Sequence, residues 1–480
     1  MSKKQRKHYN FYCYHCPDHG EHIHNNYVYT FGEDYRSVKR YKEYLDCGFD
    51  IIQARGGGEK GNHYQGGDWE TSNCKRVFTN FLKAGGKRVL VSDSLFDTFI
   101  NDDKDLIGEG KRFASEEELD KAVAERVAVY CNEKGFYGIQ LLDEPQYVDF
   151  PAYGQLVHSL QRVLPEADLQ CNLFPIGART DLITPRKGDV VVDKVAQESQ
   201  EVPLEQHIQA YAKYVEDFAE ITGLDYLLFD EYAFRREYII DGCALTNYQI
   251  VGRICQERNL EFRTVLQSFS HVTDGIVRNR RINESDMYWQ TNLAMGFGAR
   301  ELSFYTYLAK PDFDYKQGLG EADGAAFINL DGSKSALYFY TQRILKELKK
   351  FETIGLKYSY QSSHVVTEKG KTCKDFNWTA NLYEDTPCPI NVDVDKGVVM
   401  VTKQKAVNGN GDTLYMIENI GNVRDELFDH IPPMQVRVEL PAGKKKFYFR
   451  GKKIRVKADK DGKYTLSLKV GDAVFVEIKK

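Results

Sequence analysis

The chain has 480 residues, of which 65 are basic and 70 acidic, giving a formal net charge of −5. This near balance argues against a nucleic-acid-binding protein and against attachment to a membrane surface through a basic patch. The length exceeds that of a usual single domain, so we expect one large domain and a smaller one. Aromatic residues make up 13% of the chain, and they serve both as core and as platforms for sugar rings.

The distribution of apolar and sulfur-containing residues predicts a cytoplasmic protein. No apolar run approaches the roughly 18 residues of a membrane-spanning helix. The basic N-terminus is not followed by the apolar segment of a signal peptide. Ten cysteines are scattered along the chain, as Cys47, Cys131 and Cys255 illustrate, and this is typical of reduced thiols. We therefore expect neither nucleic acid nor membrane as a partner, and homo-oligomerisation stays open.

Apolar runs of strand length alternate with amphipathic helical segments over about residues 1–358. The predicted strands are Tyr9–His15, Phe49–Ala54, Arg88–Ser92, Gly138–Leu142, Leu169–Leu173, Tyr226–Asp230, Glu261–Gln267 and Glu301–Tyr305. The predicted helices are Tyr35–Asp46, Glu70–Ala84, a segment from Ser115 to Gly135, Ala152–Val163, Leu204–Ile221, Tyr248–Arg258, Glu284–Met295 and Ser335–Phe351. Eight such units are the signature of a (β/α)8 TIM barrel in the α/β class.

The loops support this fold over an open doubly wound sheet. The turns from helix to strand are short, whereas several loops from strand to helix are long, namely Ser94–Ala114, Pro175–Pro203 and Lys310–Lys334. Long loops on one face indicate that this face carries the function. A Gly-x-Gly-x-x-Gly motif after the first strand, which an open dinucleotide-binding sheet would have, is absent from the sequence.

After about Tyr358 the apolar pattern changes to a period of two. Alternating runs such as Gly397–Thr402 and Thr413–Glu418 are separated by turns rich in Gly, Asn, Asp and Pro. This pattern predicts a C-terminal antiparallel β-sandwich over residues 359–480.

A barrel brings the C-terminal ends of its strands into one pocket. The polar residues predicted there are His15, Asp18, Arg55, Asp93, Asp143, Glu144, Asn172, Asp230, Glu231, Tyr232, Gln267 and Tyr305. Carboxylates, amides, an arginine and tyrosines without a phosphate-binding loop suit a hydroxyl-rich, uncharged ligand.

Cleavage of a glycosidic bond requires two carboxyl groups, one protonated and one ionised. Glu144 follows a buried strand and precedes Pro145, so we predict that it is the acid/base residue. Its predicted partner is Asp230 or Glu231, of which only one should face the pocket because adjacent strand residues point to opposite sides. The longer side chain of Glu231 favours it slightly. The other nine positions, apart from these three, are expected to contact the sugar.

Two further hypotheses come from the N-terminal segment and from the glycines after the second strand. Cys13, Cys16 and the histidines up to His24 could form a zinc site of a metal-dependent hydrolase, but a second Cys/His pair at suitable spacing is missing. Gly56–Gly58 reads as a rim loop, since no Gly-Lys-Ser/Thr follows. We therefore expect no metal and no other cofactor.

Four motifs resemble the barrel of family 42-like glycoside hydrolases, in the clan of retaining β-glycosidases. They are Leu142–Pro145, Leu228–Tyr232, Val265–Phe269 and Trp289–Tyr305. The resemblance implies that Glu144 is the acid/base residue, which in that clan closes strand four after an asparagine. Here Asp143 replaces the asparagine, and Gln267 stands where the clan has its nucleophilic glutamate.

The sequence thus predicts a glycoside hydrolase acting on an oligo- or polysaccharide, of a β-galactosidase-like or β-glucosidase-like exo type. Because Gln267 cannot act as a nucleophile, the first alternative is a carbohydrate-binding barrel without catalytic activity. The metal-dependent hydrolase is the second alternative.

Overall fold

The computed structural model describes residues 6–14, 21–24, 27–30, 33–55, 61–185, 203–235, 240–273, 276–309, 326–329, 331–376, 378, 381–383, 386–421 and 432–480. For residues 21–24, 27–30, 271–273 and 276–278 it describes the backbone alone. The expected sugar contacts His15 and Asp18, the residues Gly56–Gly58, and much of the hypothetical zinc segment lie outside these ranges.

The first 358 residues alternate between strands and helices, as the sequence predicts. The strands in this part are β1 (Asn10–Cys13), β2 (Glu21–His24), β3 (Tyr27–Thr30), β4 (Ile51–Ala54), β5 (Arg88–Ser92), β6 (Phe136–Gln140), β7 (Asp168–Gln170), β8 (Tyr226–Glu231), β9 (Glu261–Gln267), β10 (His271–Thr273), β11 (Ile276–Asn279) and β12 (Glu301–Tyr305). The helices are α1 (Val38–Cys47), α2 (Asn73–Lys83), α3 (Ser94–Asp102), α4 (Glu116–Val127), α5 (Phe150–Val163), α6 (Leu204–Thr222), α7 (Ala244–Arg258), α8 (Glu284–Gly296) and α9 (Ala336–Gly355).

Among the described residues, eight of these strands form two parallel four-stranded sheets, in the orders β1-β12-β9-β8 and β4-β5-β6-β7. The predicted single closed sheet is therefore found as two halves. The halves touch at both edges. The Asp50 N–H donates to the Phe11 carbonyl (2.8 Å) at one edge, and the Leu173 N–H donates to the Leu228 carbonyl (2.9 Å) at the other. Every residue of β4 and β8 is buried, as expected for parallel strands covered by helices.

Helix α3 lies where a long loop was predicted. Asp93 caps it by accepting a hydrogen bond from the Leu95 N–H (3.0 Å), which satisfies one of the free donors of a helix N-terminus. Phe96, Phe99 and Ile100 are buried on one side of the helix. The predicted strand-to-helix loop is thus shorter, and the helix brings Asp97 near Arg55 and Asp143.

The C-terminal part is antiparallel. Its strands are β13 (Tyr358–Thr367), β14 (Asn391–Val394), β15 (Val398–Ala406), β16 (Thr413–Asn419), β17 (Met434–Glu439), β18 (Lys444–Phe449), β19 (Lys452–Ile454), β20 (Tyr464–Leu468) and β21 (Ala473–Lys479). They form a six-stranded sheet, β13-β15-β16-β21-β18-β19, and a three-stranded sheet, β14-β17-β20.

The six-stranded sheet is apolar on both faces. Val399 and Val401 belong to the core between the two C-terminal sheets, whereas Met400 and Met416 belong to the core shared with the first 358 residues. This division follows from the alternation of side chains along a strand. Gln404 of β15 connects this sheet to α8 by hydrogen bonds, since its Nε2 donates to the carbonyls of Met295 and Gly296 at the end of that helix (2.9 Å each).

We predict that a fragment comprising residues 1–358 is poorly soluble, because cutting there exposes the apolar surface that Met400 and Met416 cover. The measurement is the soluble yield of the fragment and its binding of a hydrophobic dye, compared with the full chain. A soluble fragment with the thermal stability of the full chain would contradict a buttressing role for the C-terminal part. The division of the chain near residue 358 remains a prediction until then.

No helix in the described part of the chain is both long enough and apolar enough to span a membrane.

Candidate active site

Glu144 lies just beyond β6 in a backbone conformation that is unusual for a residue other than glycine. Its φ angle is 50°, in the left-handed region, where a side chain is strained. Hydrogen bonds on both sides hold it there. Its N–H donates to the Asn172 carbonyl (2.8 Å), and the hydroxyls of Tyr153 and Tyr214 donate to the carbonyls of Leu142 (2.6 Å) and Pro145 (2.7 Å). The two tyrosines and Asn172 thus hold the backbone on both sides of Glu144.

Three carboxyl groups converge on this position. Burial raises the pKa of Glu144 well above its usual range, and the charges of Asp230 and Asp143 raise it further, against the effect of Arg55. Asp230 is only 3% exposed, and its own pKa is raised by burial and by Asp143. Two neighbouring buried carboxyls are costly to ionise together, so the raised pKa values favour one protonated and one ionised group. Such a pair supplies an acid and a base at neutral pH.

The two acids at the end of β8 point in opposite directions, as strand geometry requires. Asp230 faces Glu144, and Asn172 and Tyr232 interact with its carboxylate. Burial raises the pKa of Glu231, and the charges that next affect this pKa are those of Asp241 and Arg235. The charge of Glu231 in turn acts on Tyr248 of α7. The structure therefore places Asp230 beside Glu144, and Glu231, which its length had favoured, on the helix side of the strand.

Arg55, which follows β4, brings a positive charge to the same place. Its Nη1 lies 3.3 Å from Oδ2 of Asp143. Asp97 on α3 is a further member that sequence reasoning missed. Burial raises its pKa to about 6, an effect that Arg55 opposes and that Asp93 and Asp143 reinforce. The spacing of Leu95, Phe96, Phe99 and Ile100 after a capping Asp93 was a signal for α3, and recognising it would have placed Asp97 beside the strand ends.

Aromatic rings line one side of the site. Tyr232 lies 5.0 Å from Phe269 and 5.8 Å from Tyr305, measured between ring centroids. Tyr14 lies 6.4 Å from Tyr305. Burial raises the pKa of the Tyr14 and Tyr232 hydroxyls well above their usual range, so both stay protonated and able to donate hydrogen bonds. Such a wall suits the apolar face of a sugar ring.

Asp93 was predicted to contact a sugar, but its oxygens are engaged within the chain. Both accept hydrogen bonds from Arg126, Oδ1 from Nη2 at 2.6 Å and Oδ2 from Nε at 2.8 Å. Oδ2 also accepts from Tyr130 (3.0 Å), and Oδ1 caps α3. Asp93 therefore fixes the start of α3.

Gln267, at the end of β9, is also committed to the scaffold. Its Oε1 accepts from the Phe234 N–H (3.1 Å), and its Nε2 lies within hydrogen-bond distance of the carbonyls of Phe269 and Arg280 (3.2 Å each). The side chain is fully buried. It ties β9 to its neighbouring loops and leaves no amide group free for a ligand, contrary to the expected sugar contact.

We expect Arg126→Ala to destabilise the protein by about 3–5 kcal/mol, the cost of leaving a buried charge unpaired. The Asp93 side chain is 0% exposed and that of Arg126 17%. Urea unfolding measures the free-energy difference. Lys121→Ala on the same helix, where the side chain is 78% exposed, is the control and should change stability by less than about 0.5 kcal/mol. A loss below about 1 kcal/mol for Arg126→Ala would contradict the structural role of the pair.

Within the residues that the structure describes, no three His, Cys, Asp or Glu side chains are grouped so as to hold a metal ion. The zinc hypothesis involves Cys16 and the histidines up to His24, whose side chains lie outside the described part.

No protein-family model matches the sequence, and a comparison with curated protein sequences finds no match. Among solved structures, the chain is similar to a catalytic mutant of Gan42B, a GH42 β-galactosidase from G. stearothermophilus, with a TM-score of 0.55 and 9% identity over 99% of both chains. An α-amylase from Anoxybacillus aligns with a TM-score of 0.48 and 12% identity over 99% of this chain and 98% of that one. A glycoside hydrolase of family 5 from Bacteroides vulgatus aligns with a TM-score of 0.47 and 12% identity over 92% and 85%. The first of these scores indicates a shared fold, and the chain is an α/β protein whose solved structural neighbours are glycoside hydrolases.

Proposed function

We propose that the protein is a glycoside hydrolase in which Glu144 donates a proton to the leaving oxygen and Asp230 is the second carboxylate. The observation that carries this proposal is the buried pair itself: Glu144, held in a strained backbone conformation, beside Asp230. Both pKa values are raised by burial and by neighbouring carboxylates. Sites that keep one carboxyl protonated beside an ionised one are built for acid/base chemistry.

In the proposed reaction, the glycosidic bond lies between the two carboxyls. Glu144 transfers its proton to the glycosidic oxygen as the bond to the anomeric carbon breaks, and Asp230 supplies the negative charge that the oxocarbenium-like transition state requires. Asp230 then either bonds to the anomeric carbon or removes a proton from the attacking water. The stereochemistry of the first product, followed by NMR, separates these routes, since the former retains the configuration and the latter inverts it.

We also propose that the two parallel sheets together form a (β/α)8 barrel. The hydrogen bonds at both edges, and the shared fold with the GH42 β-galactosidase, support this arrangement. It explains why Arg55, Asp97, Glu144 and Asp230, which come from four different strand–loop units, meet at one end. In TIM barrels the functional residues lie at the C-terminal ends of the strands.

A second candidate is a carbohydrate-binding protein without turnover, and Gln267 favours it. The amide is neutral and is held by backbone groups, so the end of β9 offers no nucleophile. A screen of nitrophenyl glycosides in both anomeric forms separates the two candidates. Freshly purified wild-type protein is compared with the Glu144→Gln variant, which serves as the blank. Turnover that depends on Glu144 supports the hydrolase. Sugar binding with turnover no greater than the blank supports the binding protein.

A further inference from the structure

The pocket at Glu144 has more hydrogen-bond acceptors than donors. Asp97, Asp143, Asn172 and Asp230 each have one buried side-chain oxygen that accepts no hydrogen bond. Asn172 and Asp230 are each only 3% exposed. Buried polar groups in folded proteins nearly always have a partner, so these four oxygens at neighbouring positions are acceptors that a bound molecule rich in donors can use.

The same pocket is negatively charged. Among the residues that the structure describes, Arg55 is the one permanently charged cation that acts on Glu144 and Asp97. His63 lies beside Arg55, and burial followed by the Arg55 charge lowers its pKa, so this imidazole is neutral at neutral pH. With Glu144 carrying a proton, three carboxylates face one guanidinium.

The carboxylate of Asp97 forms no ion pair with Arg55, because that guanidinium pairs with Asp143. No ion pair to Asp97 forms with any other of the described residues. The charges acting on Glu144 most strongly are those of Asp230, Asp143 and Arg55, and Asp97 is not among them. It can contact a substituent of the sugar without taking part in the chemistry.

We propose that this pocket selects sugars by charge, binding a unit with a protonated amino group more tightly than its neutral counterpart and rejecting a uronate, with Asp97 as the residue that determines this preference. This inference rests on the proposed function, in that the pocket at Glu144 is taken to bind a sugar. An ammonium group provides three donors and no acceptor, which is what four unsatisfied oxygens require. A uronate adds two more acceptor oxygens and a like charge, and like-charge contacts across an interface are strongly unfavourable.

The test measures the binding of six monosaccharides to the full-length protein by calorimetry at pH 7 and constant ionic strength. The probes are glucosamine, glucose and glucuronate, and galactosamine, galactose and galacturonate. In at least one of the two series, we expect the amino sugar to bind about tenfold more tightly than the neutral sugar, and the uronate about tenfold more weakly. Equal affinity for amino and neutral sugars, tightest binding of a uronate, or no binding of any of the six would overturn the proposal.

Asp97→Asn keeps the size of the side chain and removes its charge, so the ratio of amino-sugar to neutral-sugar affinity should fall close to one. Asp102→Asn makes the same change on the same helix, where the side chain is 60% exposed, and should leave the ratio unchanged. A ratio that stays at the wild-type value in a folded Asp97→Asn variant, as judged by its Tm, would overturn the role of Asp97. If Asp97→Asn does not fold, the wild-type ranking of the six sugars still decides the charge selection.

The outcome is separable from that of the proposed function. If the sugars bind in the expected order of charge but no glycoside is turned over, the proposed hydrolase function is wrong and the proposed charge preference stands. If turnover depends on Glu144 but the three classes of sugar bind equally, the hydrolase function stands and the charge preference is wrong.

Discussion

Glu144→Gln is expected to lower kcat/KM by about 10²–10⁴-fold, the range typical of a lost general acid. The amide keeps the size of the side chain and can still occupy the strained position that Tyr153 and Tyr214 support, but it has no proton to transfer. The loss should be largest for glycosides with poor leaving groups. It should be small for a dinitrophenyl glycoside, whose leaving group departs without protonation.

The dependence of activity on pH tests the role of Glu144 independently. Because burial and the charges of Asp230 and Asp143 raise the pKa of Glu144, wild-type activity should fall on the alkaline side as the proton is lost. This limb should disappear in Glu144→Gln. Near-normal turnover of poorly activated glycosides by the variant would show that another group is the acid.

Asp230→Asn is expected to have a comparable effect, a loss of about 10²–10⁴-fold, on all substrates whatever their leaving group. An amide cannot stabilise the developing positive charge or activate water. Glu231→Gln is the matched control, since it lies next along the same strand and is equally buried, and it should retain most of the activity. In Asp230→Ala, added azide should restore part of the rate.

If Asp230→Asn keeps the wild-type rate while Glu231→Gln is inactive, the assignment of the second carboxylate is wrong. If both variants keep the wild-type rate, strand β8 is not catalytic.

Removal of the Asp230 charge should also change how stability depends on pH. Both Glu144 and Asp230 have pKa values in the folded chain above their ordinary values of 4.5 and 3.8, so the folded state retains protons that the unfolded state releases. Their contribution to stability is fully present below the unfolded pKa values and is lost as the pH rises through the folded ones.

Asp230→Asn removes one of these groups and lowers the pKa of the other. The free energy of unfolding, measured with urea at a series of pH values from about 4 upwards, should therefore fall less steeply in the variant than in the wild type. An unchanged slope would mean that the pKa of Asp230 is not raised in the folded chain.

The sequence by itself determined the alternation of strands and helices and the change to antiparallel strands near residue 358. Both depend on local periodicity, which is set by the backbone geometry of each element. A local signal also marked the start of one helix: Ser115, where the third predicted helix begins, caps α4. Glu144 could be chosen from sequence because it follows a buried strand directly and precedes a proline.

Only the tertiary structure shows which of the predicted polar residues lie together and which are taken up by other parts of the chain. Asp93, Asp97 and Gln267 all lie near strand ends, and nothing local distinguishes their roles. Arg126, 33 residues further on, takes up the oxygens of Asp93, and backbone groups of three loops take up the amide of Gln267. Asp97 has no such partner among the described residues and faces Arg55. Which acid of β8 faces Glu144 also depends on how β8 packs in the assembled fold, and the charge of Asp230 is the one that acts on Glu144.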